Sequence, residues 1–188
     1  MELKEEIRNA YEVLKNGGVI LYPTDTIWGI GCDATNEEAV KRIYKIKKRE
    51  NSKSMLLLVD DVGWIASYAS VPDIALDLIN TNDKPMTIIY PNAKGIAKNL
   101  IAEDGTIGIR VTNEEFSKKL TFRLRKPIVS TSANISGKIA PQNFCDISQE
   151  IKDAVDYIVD YRQNEHSNHK TSSILKIDMN SDIKIIRE

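Results

Sequence analysis

The sequence predicts an α/β fold, and three observations carry that reading. Leu3, Ile7, Ala10, Tyr11 and Leu14 recur at helical spacing. Short apolar runs rich in β-branched residues, among them Val19-Ile20-Leu21-Tyr22 and Met86 to Tyr90, separate this and later helical stretches. A chain of 188 residues with 41% hydrophobic and 28% charged residues is ordinary for one globular domain spanning 1–188.

Leu3 to Asn16 reads as an amphipathic helix stopped by Gly17-Gly18, which delivers the chain to a first strand, Val19 to Tyr22. Pro23 ends that strand because proline cannot donate to a sheet ladder. Thr24-Asp25-Thr26 follows, where open α/β sheets place ligand contacts, and Gly29 and Gly31 beyond Trp28 permit close backbone approach. Thr35 and Glu38 form a candidate capping box for a second helix carrying Val40, Ile43 and Tyr44. The basic run at its end, from Lys45 to Arg49, is also what the helix macrodipole favours.

Ser54 to Val59 reads as a strand and Asp60-Asp61 as a turn. Val62 to Asn80 reads as one or two helices broken near Pro72. In Thr106 to Val111 the alternation puts Ile107, Ile109 and Val111 on one face and Thr106, Gly108 and Arg110 on the other, where an arginine beside a glycine leaves room for a ligand. Asn113 is a candidate cap for a helix with Phe116, Leu120 and Leu124, and Ile128 to Thr131 is the next strand. Ser130 to Gly137 is dense in small polar groups, which suits either an anion nest or a turn that satisfies itself. Ile147, Ile151 and Val155 mark a last helix and Tyr157 to Asp160 a strand. Gln163 to Lys170 is a polar loop, and Ser173 to Ile177 with Ile183 to Ile186 reads as a closing hairpin.

Twenty-six basic against 27 acidic residues argue against a globally basic nucleic-acid binder. Cys32 and Cys145 lack zinc-type spacing, and His166 and His169 have no clear third ligand nearby, so no metal site is expected. The charged opening stretch is unlike a secretory signal and no run is long enough to span a bilayer, so a cytoplasmic location without membrane association is expected.

Five motifs in order and register then resemble one family. Tyr22-Pro-Thr-Asp-Thr26 with Trp28-Gly-Ile-Gly31, Lys47-x-Arg49, Thr106-Ile-Gly-Ile-Arg110, Ser130-Thr-Ser-Ala-Asn134 and Ser172-Ser-Ile174 resemble the YrdC-like threonylcarbamoyl-AMP synthases over nearly the whole chain. The resemblance implies an open twisted mixed sheet with flanking helices around a basic cleft. It also implies a reaction: L-threonine and bicarbonate form an N-carboxylated threonine, which attacks the α-phosphate of ATP and releases pyrophosphate. Mg²⁺ is expected with the nucleotide, and a tRNA-modifying transferase complex is expected to receive the product.

Carried over by position, Lys47 and Arg49 face the triphosphate and serve the chemistry, since fixed cations stabilise charge building on phosphate oxygens. Lys53, Thr106, Ser132, Asn134 and Arg187 join them on ATP. Thr24, Arg110, Ser130 and Ser172 fall on L-threonine, with Arg110 as the carboxylate clamp. The chain departs from the family's common pattern at Glu50 and Ser54, where prolines are usual. It departs again at Leu58, where some members carry histidine, and at Asn82-Asp83-Lys84-Pro85. Besides a purely structural subunit, which would follow if Glu50 or the loop changes had abolished turnover, two alternatives are weighed against this reading. One is an RNA-binding module on the basic surface of Lys41 to Lys53 with Lys118, Lys119, Arg123, Arg125 and Lys126, where the aromatic interleaving expected for single strands is missing. The other is a carbamoyl-transfer domain of the hydrogenase-maturation type, whose paired-cysteine motifs are absent here.

Overall fold

A computed structural model describes residues 2–49, 55–165 and 171–188. Among these residues the sheet is mixed, with nine strands in the order β7-β1-β2-β6-β3-β5-β4-β8-β9. The strands are β1 (Ile20–Tyr22), β2 (Gly29–Gly31), β3 (Leu56–Val59), β4 (Met86–Tyr90), β5 (Ile107–Val111), β6 (Ile128–Ser132), β7 (Tyr157–Ile158), β8 (Ser173–Ile177) and β9 (Ile183–Arg187). The helices are α1 (Leu3–Lys15), α2 (Glu37–Lys47), α3 (Ile65–Tyr68), α4 (Asp73–Thr81), α5 (Glu115–Leu124) and α6 (Gln149–Ala154). Strands β1 and β7, β3 and β5, and β4 and β8 run parallel, and the other pairings are antiparallel.

Two apolar clusters form on the sheet, because successive strand side chains point to opposite faces. Ile20, Tyr22, Leu58 and Ile128 pack under α1 and α5, against Ile7, Ala10, Leu14, Phe116 and Leu120. Val19, Leu21, Leu57, Val129 and Ile109 pack on the other face against α2, α3, α4 and α6. Cross-strand partners share a face, so Leu58 opposite Arg110, Leu56 opposite Ser130, Ile89 opposite Gly108 and Thr87 opposite Ile174 carry the α1–α5 face onward across the sheet. There the helices stop, and that stretch of sheet becomes the floor of a cavity.

Two caps differ from the expectation. Asn36, and not Thr35 with Glu38, caps α2: its side chain accepts from Ala39 N at 3.0 Å. The Thr35 hydroxyl is instead oriented onto Asp33, to whose Oδ1 it and the Thr35 amide both donate, at 2.7 and 2.8 Å. At α5 the cap is Glu114, one residue after Asn113, and its carboxylate takes the amides of Phe116 and Ser117. A carboxylate with two oxygens satisfies two orphan donors at once and suits the positive end of the helix. In the last helix only Ile151 is helical; Ile147 precedes α6 and Val155 follows it.

Gly31 is required by the close packing of β1, β2 and β6. A Cβ there would stand 2.5 Å from the Val129 carbonyl oxygen and 2.7 Å from the Tyr22 ring. The close approach read from this glycine is thus to the protein's own backbone. Among the described residues no helix is long and apolar enough to cross a membrane.

Candidate functional site

The cavity, of about 400 Å³, lies on the uncovered half of the α1–α5 face. Strand alternation aims Gly108, Arg110, Thr87, Ile89, Leu56 and Ser130 into it, and Gly29, Trp28, Met55 and Ile107 complete its walls. Of the residues expected on ligands, Thr24, Arg49, Thr106, Arg110, Ser130, Ser132, Ser172 and Arg187 all line this one space. They come from sequence positions up to 163 residues apart, which is the distance from Thr24 to Arg187.

Arg49 reaches the wall through the end of α2. Lys48 adopts a left-handed conformation with φ 49°, its amide and that of Arg49 close back onto the helix, and the chain turns. Burial lowers the pKa of Arg49 from its ordinary value. Arg187, at the end of β9, donates from Nε and Nη2 to the Ser172 carbonyl oxygen at 3.0 and 2.7 Å. Burial and then the charge of Arg110 lower its pKa.

Arg110 is buried, and its Nη2 lies 2.9 Å from Asp25 Oδ1 and 3.5 Å from Thr26 Oγ1. Its Nε has no hydrogen-bond partner among the described residues. The Arg110 side chain lines the cavity, while its Nε–H is buried without a partner, so the protein alone leaves the hydrogen bonding of this guanidinium incomplete. The Ser172 hydroxyl is shared with Thr87 Oγ1 at 2.9 Å. Thr106 bonds Asp104 Oδ1 through both its amide, at 3.2 Å, and its hydroxyl, at 2.7 Å. Lys176 and Thr106 together hold the Asp104 carboxyl down at about 2.

Lys47 and Asn134 stand behind the cavity wall. Lys47 is buried, and its ammonium points at the carbonyl oxygens of Ser132 and Asn134. Burial, and then the charge of Arg49, pulls its pKa down to about 7. Asn134 Nδ2 closes the following turn by donating to Lys138 O at 2.6 Å. Within and just after this polar run the amides of Ala133, Asn134, Ser136 and Lys138 bond the backbone carbonyls of Trp28, Ser132, Lys47 and Ile135. Leu58, opposite Arg110 on β5, is fully buried in the α1–α5 core.

Lys53, Glu50, Ser54, His166 and His169 fall outside the described residues. Among the described residues no three His, Cys, Asp or Glu side chains lie together to hold a metal ion. On the basic surface, Arg123 lies over the Tyr11 ring at 4.8 Å and Arg125 over Phe122 at 5.0 Å. Those two cations therefore stack on the chain's own aromatic faces.

Thr26, in the turn read as a place for ligand contacts, also lines the cavity, and sequence reasoning passed over Thr87 and Ala140, which line it too. Thr87 had a readable signal: it is the one polar side chain within the apolar run Met86-Thr-Ile-Ile-Tyr90. Ala140 carries no such mark.

The Sua5/YciO/YrdC family, described as "Telomere recombination", matches residues 12–188. A Methanocaldococcus jannaschii protein provisionally named threonylcarbamoyl-AMP synthase is 39% identical over 191 residues, covering 97% of this chain and 86% of that protein. The threonylcarbamoyl-AMP synthase of Pseudoalteromonas translucida is 35% identical over 164 residues, covering 85% and 88% of the two chains. The structure of P. abyssi Sua5 complexed with L-threonine superposes with TM-score 0.85 at 24% identity, covering 94% of this chain and 52% of that one. The chain thus spans about half the length of that structure, and likeness at this identity carries the fold.

Proposed function

Because the chain belongs to the Sua5/YciO/YrdC family, we propose that it is an L-threonylcarbamoyladenylate synthase, a nucleotidyltransferase that makes threonylcarbamoyl-AMP and pyrophosphate from L-threonine, bicarbonate and ATP. The reading draws on the names of its relatives at 35–39% identity. The observation that carries it is the convergence on one cavity of the hydroxyls of Thr26, Thr87, Ser130 and Ser172 with three arginines, Arg49, Arg110 and Arg187.

The chemistry divides among those groups. Arg110 takes the threonine carboxylate, because it is a planar guanidinium that lines the cavity and such a group grips a carboxylate directionally. Ser130 and Ser172 flank the amino acid, and hydroxyls that bond the substrate hydroxyl discriminate against analogues lacking it. The amine of threonine forms a C–N bond to the bicarbonate carbon with loss of water, and an oxygen of the resulting carbamate attacks the α-phosphorus as its bond to the bridging oxygen breaks and pyrophosphate leaves. Arg49 and Arg187, with Thr106 and Ser132, hold the nucleotide and stabilise charge on the phosphate oxygens. Mg²⁺ enters with ATP as part of the substrate. Lys47 acts from behind, through the carbonyls of the Ser132–Asn134 turn. The apolar walls from Trp28, Met55, Leu56 and Ile89 keep water from the adenylate.

In this reading a single domain over 1–188 works in the cytoplasm and hands its product to a tRNA-modifying transferase. Pyrophosphate release from Mg-ATP and bicarbonate, compared with L-threonine, L-serine, L-valine and no amino acid, tests it. Threonine-dependent release that needs bicarbonate is expected; the absence of any amino-acid-dependent release removes the synthase reading. RNA binding that is independent of ATP and threonine and collapses with salt would replace it.

A further inference from the structure

Arg162 occupies a position that ordinary side chains avoid, with φ 61° in the turn after β7. Left-handed backbone at a non-glycine residue costs free energy and persists where surrounding contacts over-determine it. Here the contacts come from three separate parts of the fold. Arg162 Nε bonds Glu165 Oε2 at 2.7 Å, within its own turn. Its Nη1 lies 3.3 Å from Glu114 Oε1 and donates to the Thr24 carbonyl oxygen at 3.3 Å.

Each end of that linkage is fixed by something else. The Glu114 side chain is 6% exposed and is held by the Phe116 and Ser117 amides at the start of α5. Thr24 begins the turn whose next residue, Asp25, pairs with Arg110. A rigid helix terminus is thereby joined through one guanidinium to the backbone of the turn that bears on the cavity's unsatisfied arginine. Arg162 itself is not among the residues lining that cavity.

We propose that Arg162 is a positioning residue for the amino-acid end of the site, setting the Thr24–Thr26 turn, and with it Arg110, in the conformation that accepts threonine. The inference rests on the synthase reading above. Its physical basis is that catalytic and binding groups on a turn are only as well placed as the contacts behind the turn, and a displacement of about 1 Å costs up to roughly a hundredfold. An arginine is suited to the task because its planar fork donates in several directions at once.

Arg162→Gly separates positioning from folding, since glycine relieves the left-handed backbone while the guanidinium is lost. The expected result is a KM for L-threonine raised about tenfold, with kcat and the KM for ATP nearly unchanged when measured below a melting temperature that falls, because Glu114 loses its ion-pair partner. Arg162→Lys, which retains the charge and one donor direction, recovers part of the threonine KM. Threonine affinity measured by calorimetry follows the same order without relying on turnover, and serves on Arg162→Lys alone should the glycine variant not fold. Unchanged threonine affinity in the variants, or equal losses for ATP and threonine, overturns the inference and leaves the synthase reading standing. Failure of the unmodified protein to release pyrophosphate or bind threonine overturns both.

Discussion

The ammonium of Lys47 lies 2.7 Å from the carbonyl oxygen of Asn134. Its remaining acceptors are the Ser132 carbonyl and, at 3.5 Å, Asn134 Oδ1. A neutral amine keeps two N–H donors, enough for both carbonyls, which is consistent with a pKa drawn down to about 7 by burial and Arg49. In the unfolded chain the same group titrates near 10.4. Between those values the unfolded chain binds more protons than the folded one, so this residue makes stability rise as pH rises from about 7 toward 10. Lys47→Met is expected to abolish that increment. Urea denaturation of both proteins at pH 7, 8 and 9 should show the wild type gaining on the variant; a constant difference would refute the assignment.

The Asp25–Arg110 pair is a second test of buried charge. The Arg110 side chain is 3% exposed and Asp25 13%, so solvent screens the pair weakly. Removing one partner of a buried pair strands the other, at a cost of about 3–5 kcal/mol. Asp25→Ala is expected to destabilise the fold by roughly that amount, whereas Asp25→Asn, which still accepts from Nη2, costs about half of it. Chemical denaturation separates the two; equal and small effects would show that Arg110 is held by other contacts.

Much of this architecture was legible in the sequence because it depends on local pattern. The 2-residue alternation around Gly108 and Arg110 placed both on the cavity face, and the helical spacing in α1 located one of its flanking helices. Where neighbouring residues competed for one role, the pattern could not choose. Thr35 lost the α2 cap to Asn36 because Asp33 had captured its hydroxyl, and Asn113 lost the α5 cap to Glu114, whose carboxylate satisfies two amides. The inward turn of Lys47 was illegible for a different reason: its partners are backbone carbonyls 85 and 87 positions away, and carbonyls leave no mark in composition. Arg162 was passed over for the same reason, since Thr24 meets it through a main-chain atom.

Gly31→Ala probes the packing of β1, β2 and β6. The added methyl would meet the Val129 carbonyl at 2.5 Å, a backbone atom with no freedom to rotate away. Overpacking of this kind costs about 1–3 kcal/mol, and more where backbone must move. Gly108→Ala, whose nearest contact would be Thr87 Cγ2 at 3.3 Å, is expected to be much better tolerated by the fold. Melting curves of the two variants should rank them in that order, and the reverse ranking would show that the sheet adjusts more readily at β2 than at β5.

Thr24 offers a test that separates the two ends of one side chain. A threonine hydroxyl has one proton to donate and two lone pairs. Here the proton goes to the Ile27 carbonyl at 2.7 Å, and the Thr26 amide donates to the oxygen at 3.1 Å. The remaining contact, Thr26 Oγ1 at 3.0 Å, must then run from Thr26 to Thr24, since the Thr24 proton is already used. The Thr24 hydroxyl is therefore full, and its methyl is what it offers to a ligand in the cavity beside Gly29. Thr24→Val keeps a methyl but leaves the Ile27 carbonyl and Thr26 amide without a partner, and is expected to cost about 2 kcal/mol of stability. Thr24→Ser keeps the turn and deletes the methyl, whose burial is worth about 0.8 kcal/mol, so the KM for L-threonine should rise about fourfold with little change in melting temperature. Denaturation and threonine titration of both variants check the division. A serine variant that unfolds as easily as the valine variant would show that the methyl supports the turn as much as the hydroxyl does, and an unchanged KM for L-threonine in it would remove the methyl from the ligand contact.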